Sequence, residues 1–448
     1  MLLPSPWSPR LASIQAHTAE RLALALADDI IEGRLAGGDR LPAHRDLALK
    51  LGIGLGTVTK AYASLERRGL TRSIQGRGTF VAISQAHQGH QIDLSSNVPP
   101  GMLHARLLAR TLMGVARKID ADHLNLYAPP AGHMEHRRVL ARWLETLGLR
   151  VDASHLVLTS GARQALSLAF DLACGPQGLL LAERITYPGA IALSRRKGYR
   201  MQGVEIDAQG MLPGALADAL GGLASTGNRA VYLTPTLHNP TTATMGAERR
   251  QAIADICRRA GAWIIEDGVY ASAEPATPPL AAWAPEISFH VNGLSKSLGP
   301  GLQIGVLALP AGFGAAAEDA LQDLPMAPSP LACAVVEEWL ATDVISSIQQ
   351  DLRHEARRRS SLALSLLGAG GLVSRPDAYN AWLPMELDAA RHFATAAAAM
   401  RIKLTPPEFM MVSPEDRASG IRLCLGGPPF EELTEALALL ARLLKQSA

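Results

Sequence analysis

The stretch Asn292-Gly293-Leu294-Ser295-Lys296-Ser297-Leu298-Gly299-Pro300-Gly301-Leu302 governs how the larger part of this chain is read. It is a loop of small residues after an apolar run, with one lysine near its centre. Upstream lies Ile264-Ile265-Glu266-Asp267-Gly268-Val269-Tyr270, an apolar strand that ends in Asp-x-x-Tyr. An amine on a Ser/Gly-rich loop and a carboxylate at a strand end form a chemical pair. The amine condenses with an aldehyde. The carboxylate keeps an aromatic ring nitrogen protonated, so that the ring draws electrons.

Working outward, continuous apolar runs alternate with helical segments. They are Leu156-Val157-Leu158-Thr159, Gly178-Leu179-Leu180-Leu181-Ala182, Ala230-Val231-Tyr232-Leu233 and Trp263-Ile264-Ile265-Glu266. Such strands are buried on both faces, which predicts an α/β domain with a mostly parallel sheet. Ligands in these sheets sit at the carboxyl ends of the strands, and the conspicuous polar residues fall there. Thr159-Ser160-Gly161-Ala162-Arg163 follows a strand and opens a helix, where free N–H groups and the helix dipole hold an anion. Alone, that pattern is more often a simple N-cap. Thr186-Tyr187-Pro188-Gly189 is a turn whose ring either stacks on a flat ligand or packs. Asn239, held extended before Pro240, either reaches a ring oxygen or forms a plain turn. Arg422 interrupts the strand Gly420-Ile421-Arg422-Leu423-Cys424, and its planar fork suits a carboxylate. The alternative there is an edge-strand arginine reaching for water.

In this order and spacing the motifs make residues 92–448 resemble a fold type I aminotransferase. That is a pyridoxal phosphate-dependent fold with a smaller C-terminal subdomain. The resemblance implies Lys296, next to Ser295, as the catalytic lysine bonded to pyridoxal phosphate. It implies Asp267 against the pyridine nitrogen, Asn239 and Tyr270 on the ring hydroxyl, and Tyr187 at the ring. Ser160, Gly161 and Ala162 would surround the phosphate, and Arg422 would take a substrate or effector carboxylate. Tyr127, in Asn125-Leu126-Tyr127-Ala128-Pro129, matches the tyrosine lent to the neighbouring subunit's phosphate, which implies a homodimer. No metal is implied. Two positions depart from the family. Gln303 stands where an arginine usually pairs with the phosphate, and Gly293 where a Ser or Thr usually stands. Hydrogen bonds to charged groups are each worth about 1.5–3 kcal/mol. The departures therefore imply weaker cofactor binding, a substitute cation such as Arg163, or a pocket that binds the cofactor transiently.

The beginning of the chain has a different character. Residues 14–32 carry apolar residues at helical spacing. Ala43–Leu51 and Thr57–Arg68 read as two short helices joined by Gly52-Ile53-Gly54-Leu55-Gly56. Residues 70–82 read as two strands with a Gln75-Gly76-Arg77-Gly78 tip. This is a winged helix-turn-helix, whose second short helix enters a major groove. From Arg45 to Ala82 seven basic side chains face two acidic ones, while the whole chain is only +2. A local basic surface suits a phosphate backbone. The stretch resembles the GntR regulator family. By that resemblance Arg45 and Lys60 approach DNA, Thr57 and Thr59 open the recognition helix, and Gln75, Gly76 and Arg77 form the wing tip.

The sequence thus predicts a DNA-binding head over 1–82, a linker over 83–91 and a body over 92–448. Head and body together resemble the MocR subfamily. The implied function is a transcriptional regulator that binds operator DNA and senses pyridoxal phosphate, an amino acid or their adduct. The rival is a working aminotransferase with a DNA-binding head. Composition agrees with a globular chain, 48% hydrophobic and 19% charged. No apolar run is long enough to span a membrane, and three prolines by position nine argue against a signal peptide. The four scattered cysteines read as buried thiols in a reducing cytoplasm.

Overall fold

A computed structural model of the chain describes residues 7–12, 17–31, 34–35, 38–67, 70–74, 78–81, 91–103, 105–175, 178–222, 228–273, 277–323 and 327–447. It divides into two compact units, Met1–His90 and Gln91–Ala448.

In the first unit, helix α1 (Thr18–Ile31) packs on α3 (Leu55–Arg67), and α2 (His44–Leu51) packs on α3. Strands β1 (Thr71–Ile74) and β2 (Gly78–Val81) form an antiparallel pair, and Arg40 bridges to Phe80 beside it. The core is Leu22, Leu26, Leu41, Leu47, Val58, Tyr62 and Leu65. α2 ends at Gly52 in the left-handed conformation (φ 63°), a C-cap that glycine adopts at little cost. Two polar ties fix the fold. Tyr62 donates to the Pro42 carbonyl at 2.9 Å, and Glu66 accepts from the Ser73 N–H at 3.0 Å, joining α3 to β1. The turn is shorter than its glycines suggest, because α3 begins at Leu55 and takes Gly56 into its first turn. Thr57 and Thr59 therefore lie within the first turns of the helix.

The second unit is built on a seven-stranded sheet. In chain order its strands are β3 (Leu156–Thr159), β4 (Leu179–Glu183), β5 (Arg200–Val204), β6 (Arg229–Leu233), β7 (Trp263–Asp267), β8 (Ser288–Gly293) and β9 (Gly305–Ala308). Their spatial order is β3-β9-β8-β7-β6-β4-β5, and only β9 runs antiparallel to its neighbours. The helix Ala162–Cys174 packs on one face and buries its Phe170 with Tyr232, Phe289 and Val291. The helices Pro213–Gly221 and Ala247–Ala260 bury Leu216, Ile253 and Cys257 with Leu181, Val231 and Ile264 on the other. A smaller layer follows, with β10 (Asn380–Glu386) antiparallel to β11 (Ala418–Cys424) under Phe393, Leu433 and Leu437. All four cysteines are free and buried. Among the described residues no helix is long and apolar enough to cross a membrane.

Candidate functional site

The carboxyl ends of β3, β4, β6, β7 and β8 point the same way, and the turns that follow them surround a cavity of about 870 Å³. Gly161, Ala162, Tyr187, Asn239, Asp267, Tyr270, Ser295, Lys296 and Arg422 all line it. Ser160 and Tyr127 do not. The Ser160 hydroxyl reaches the Ala327 carbonyl at 3.4 Å, and Tyr127 is fully exposed.

Strand alternation places the carboxylates. Glu266 points away from the cavity, where it accepts from the Leu280 and Ala281 N–H groups at 2.8 and 3.0 Å and pairs with His290 at 3.0 Å. Asp267, the next residue along, faces the cavity. It is 8% exposed and accepts from Tyr232 Oη at 3.1 Å and the Val269 N–H at 3.3 Å. Burial pushes its carboxyl up, and those two donors hold it back.

Lys296 follows β8 in a tight turn. Its Nζ donates to the Asn97 carbonyl and stands 5.9 Å from the centre of the Tyr270 ring. Its own carbonyl accepts from Tyr379 Oη at 3.2 Å. Burial lowers its pKa to about 8, and the Arg422 charge pushes the same way, against Cys424 and Asp267. A buried amine with fewer protons is a better nucleophile near neutrality.

Arg422, on β11 opposite Trp382, is 5% exposed. One Nη donates to Asn239 Oδ1 at 2.7 Å, and the other to the Ser95 carbonyl at 2.8 Å and Thr405 Oγ1 at 2.9 Å. Its Nε is buried with no hydrogen-bond partner among the described residues. Asn239 thus spends its oxygen on Arg422 and keeps its NH2 for the cavity. The Asn97 amide donates to Tyr270 Oη at 2.9 Å. The Tyr187 ring folds over Gly189, where a Cβ would come within 2.3 Å of it.

The start of the helix Ala162–Cys174 opens onto the cavity. Gly161 caps it at φ 97°, and the space a Cβ would take there is open. The Ala162 and Arg163 N–H groups at its start have no intrahelical acceptor, while the Gln164 N–H donates to the Gly161 carbonyl at 3.0 Å. Close approach of the sheet secures this end. A Cβ on Gly305 would come within 2.3 Å of the Gly161 carbonyl carbon and 2.5 Å of the Ala162 nitrogen. Crowding also explains the glycine at 293, since a Cβ there would meet the Ala162 Cβ and the Ile304 oxygen at 3.1 Å. Gln303, left-handed at φ 50°, is exposed at the cavity wall.

These groups fit pyridoxal phosphate. The buried Asp267 carboxylate faces inward, the amine is near, and an open helix N-terminus suits the phosphate. The cofactor would supply the electron-withdrawing ring. Lys296 would bind it, Asp267 and Tyr187 would orient the ring, and Arg422, which also lines the cavity, would take a carboxylate.

Several residues of the site escaped the sequence reading: Asn97, Thr405 and Phe409 line the cavity, and Tyr232 is fully buried and donates to Asp267. Asn97 looked like part of a strand start. Tyr232 looked like core, because its hydroxyl is invisible in an apolar run. Thr405 sits in irregular chain and Phe409 in the short 3-10 turn Pro407–Met410, and neither has a periodic pattern.

On the first unit Arg45, Thr59 and Lys60 are exposed, and Thr57 is half-buried. Thr59 Oγ1 donates to the Leu55 carbonyl at 3.1 Å. Among the described residues neither Arg45 nor Lys60 has an ion-pair partner. Leu49 and Leu55 are 86% and 46% exposed beside them. Gln75, Gly76 and Arg77 lie outside the described residues.

Comparison with known proteins agrees with both halves. Residues 89–440 match the family "Aminotransferase class I and II", and residues 18–81 match "Bacterial regulatory proteins, gntR family". The chain is 26% identical to the HTH-type transcriptional regulator YdeF of Bacillus subtilis, over 98% of this chain and 97% of that one. It is 28% identical to the vitamin B6 salvage pathway transcriptional repressor PtsJ of Salmonella typhimurium, over 83% and 86%. The fold is similar to an archaeal alanine:glyoxylate aminotransferase, with a TM-score of 0.73 at 22% identity, covering 87% of this chain and 95% of the other. The chain therefore belongs to the aminotransferase class I and II family, in the MocR-type arrangement that sets a gntR-family domain ahead of the aminotransferase-like body.

Proposed function

We propose that this protein is a DNA-binding transcriptional regulator whose aminotransferase-like body senses pyridoxal phosphate, an amino acid, or both. The observation that carries this reading is one chain holding two things. One is a gntR-family head with unpaired exposed cations. The other is a cavity that gathers Lys296, Asp267, Asn239, Tyr270 and Arg422. In it Lys296 binds the cofactor, Asp267 holds the ring nitrogen, and Arg422 takes an amino-acid carboxylate. Arg45 and Lys60 contact operator phosphates, with Thr57, Thr59 and the Gln75–Arg77 wing tip at the grooves. PtsJ, by its name a repressor of vitamin B6 salvage, supports a B6 vitamer as the ligand.

The protein acts as a homodimer on this reading. Leu124, Leu126 and Tyr127 are 55%, 67% and 102% exposed, more apolar surface than a short segment leaves to water without use. Tyr127 then reaches the partner's site. Gln303 stands where the family carries a cation, a departure that suits a sensor whose ligand comes and goes better than an enzyme that holds its cofactor through turnover. The test is gel-shift titration of promoter DNA with the full chain and with a truncation lacking residues 1–82. Loss of specific binding in the truncation is the expected result, and undiminished binding contradicts the assignment.

A second reading, an active aminotransferase, has an observation in its favour. The amine, the ring-nitrogen carboxylate and the carboxylate-binding arginine are all in one cavity. Half-reactions with a panel of amino acids separate the two. Stoichiometric conversion of bound cofactor on a catalytic timescale supports the enzyme.

A further inference from the structure

Arg163 and Arg195 both line the cavity, and among the described residues neither has a hydrogen-bond or ion-pair partner. The two stand in opposite electrostatic settings. Arg195 is in the last turn of the helix Pro188–Lys197, with Arg196 and Lys197, where the negative end of the helix dipole favours cations. Arg163 is the second residue of the helix Ala162–Cys174, where the positive end of the dipole opposes it. No acidic residue stands in that first turn to offset the repulsion. Arg163 is exposed on the cavity wall at a helix N-terminus, with no anion of the chain paired to it among the described residues, so it is free to meet an anionic ligand there. Beside it are the open face of Gly161 and the Ala162 and Arg163 N–H groups. The Arg163 charge reaches across the cavity end, since it draws the Tyr187 phenol down against the burial that raises it. Gln303, on the same wall, brings no charge.

We propose that Arg163 is the cation that holds the ligand's phosphate, replacing the basic residue missing at position 303. The inference rests on the cofactor reading above. The phosphate then meets backbone N–H groups, the helix dipole and one guanidinium from a single element, while Arg422 serves a carboxylate elsewhere in the cavity.

The experiment titrates the full-length protein with pyridoxal phosphate and with pyridoxal, which has the same aldehyde and ring but no phosphate, following near-ultraviolet and visible absorbance. R163Q is expected to weaken pyridoxal phosphate about tenfold or more and to leave pyridoxal unchanged. R163K recovers part of the loss. R163Q/Q303R recovers most of it, because the second change returns a cation to the wall. R195Q leaves both affinities near wild type. Equal weakening of both ligands by R163Q, unchanged pyridoxal phosphate binding, or a larger loss in R195Q would each overturn the proposal. If wild-type protein binds neither ligand, the cofactor reading fails and this inference fails with it. If wild type binds both and R163Q behaves as wild type, only the inference falls.

Discussion

The chemistry of the cavity turns on the burial of a few groups. Lys296 has its pKa lowered to about 8, so half its amines are free at that pH. The free amine is the form that attacks an aldehyde. We therefore expect the rate of pyridoxal phosphate attachment to climb with pH through about 8 and then level off. An unburied lysine would keep climbing toward about 10.4. Stopped-flow absorbance across a pH series checks this, and a rise that continues unbroken beyond pH 9 would show that the amine is not perturbed. Lys296→Ala should abolish borohydride-trapped cofactor, read by mass spectrometry. Tyr232→Phe removes the hydroxyl that Asp267 accepts from, a buried hydrogen bond to a carboxylate, worth about 1.5–3 kcal/mol. It should leave the Asp267 carboxyl even higher and weaken the cofactor without unfolding the sheet. Lys296, Asp267, Asn239 and Arg422 were legible in the sequence because each breaks an apolar or small-residue pattern. Tyr232 and Asn97 were not. A tyrosine satisfies the apolar pattern of a strand, and its hydroxyl partner is thirty-five positions away.

Strands and helices carry those residues to one place, and β9 packs tightly on the start of the helix Ala162–Cys174. Gly305 has no room for a Cβ, so Gly305→Ala must push the helix start off the sheet. We expect a loss of about 1–3 kcal/mol or more, seen as a lower denaturant midpoint, together with weaker cofactor binding. A wild-type midpoint would mean that this end of the helix is free to move. In the head, Lys60 is exposed on α3 and has no ion-pair partner among the described residues. Lys60→Ala should weaken operator binding and reduce the slope of log affinity against log salt by about one phosphate contact. An unchanged slope would remove Lys60 from the interface. Strand positions were read within a residue or so, since buried parallel strands are unbroken apolar runs. The reversed direction of β9 was not legible, because burial leaves the same pattern whichever way a strand runs. The start of α3 was misplaced because glycines signal a turn, and a helix's first turn tolerates one.

Regulation requires that ligand and DNA act on one another. The proposed dimer makes each cofactor site depend on two chains, through Lys296 of one and Tyr127 of the other. Tyr127→Ala and Lys296→Ala should each impair cofactor binding. Mixing and refolding the two should recover part of it, since a mixed dimer has one complete site. No recovery would place Tyr127 outside the site. A ligand changes DNA affinity only if it binds the DNA-competent state and the alternative state unequally. Such couplings usually amount to about 1–3 kcal/mol. The most direct measurement is operator affinity at fixed salt with and without saturating pyridoxal phosphate, then with amino acids added. The account predicts a change of about 5- to 150-fold, and the same factor in cofactor affinity with and without operator. Identical operator affinities with and without a ligand that demonstrably binds would contradict it.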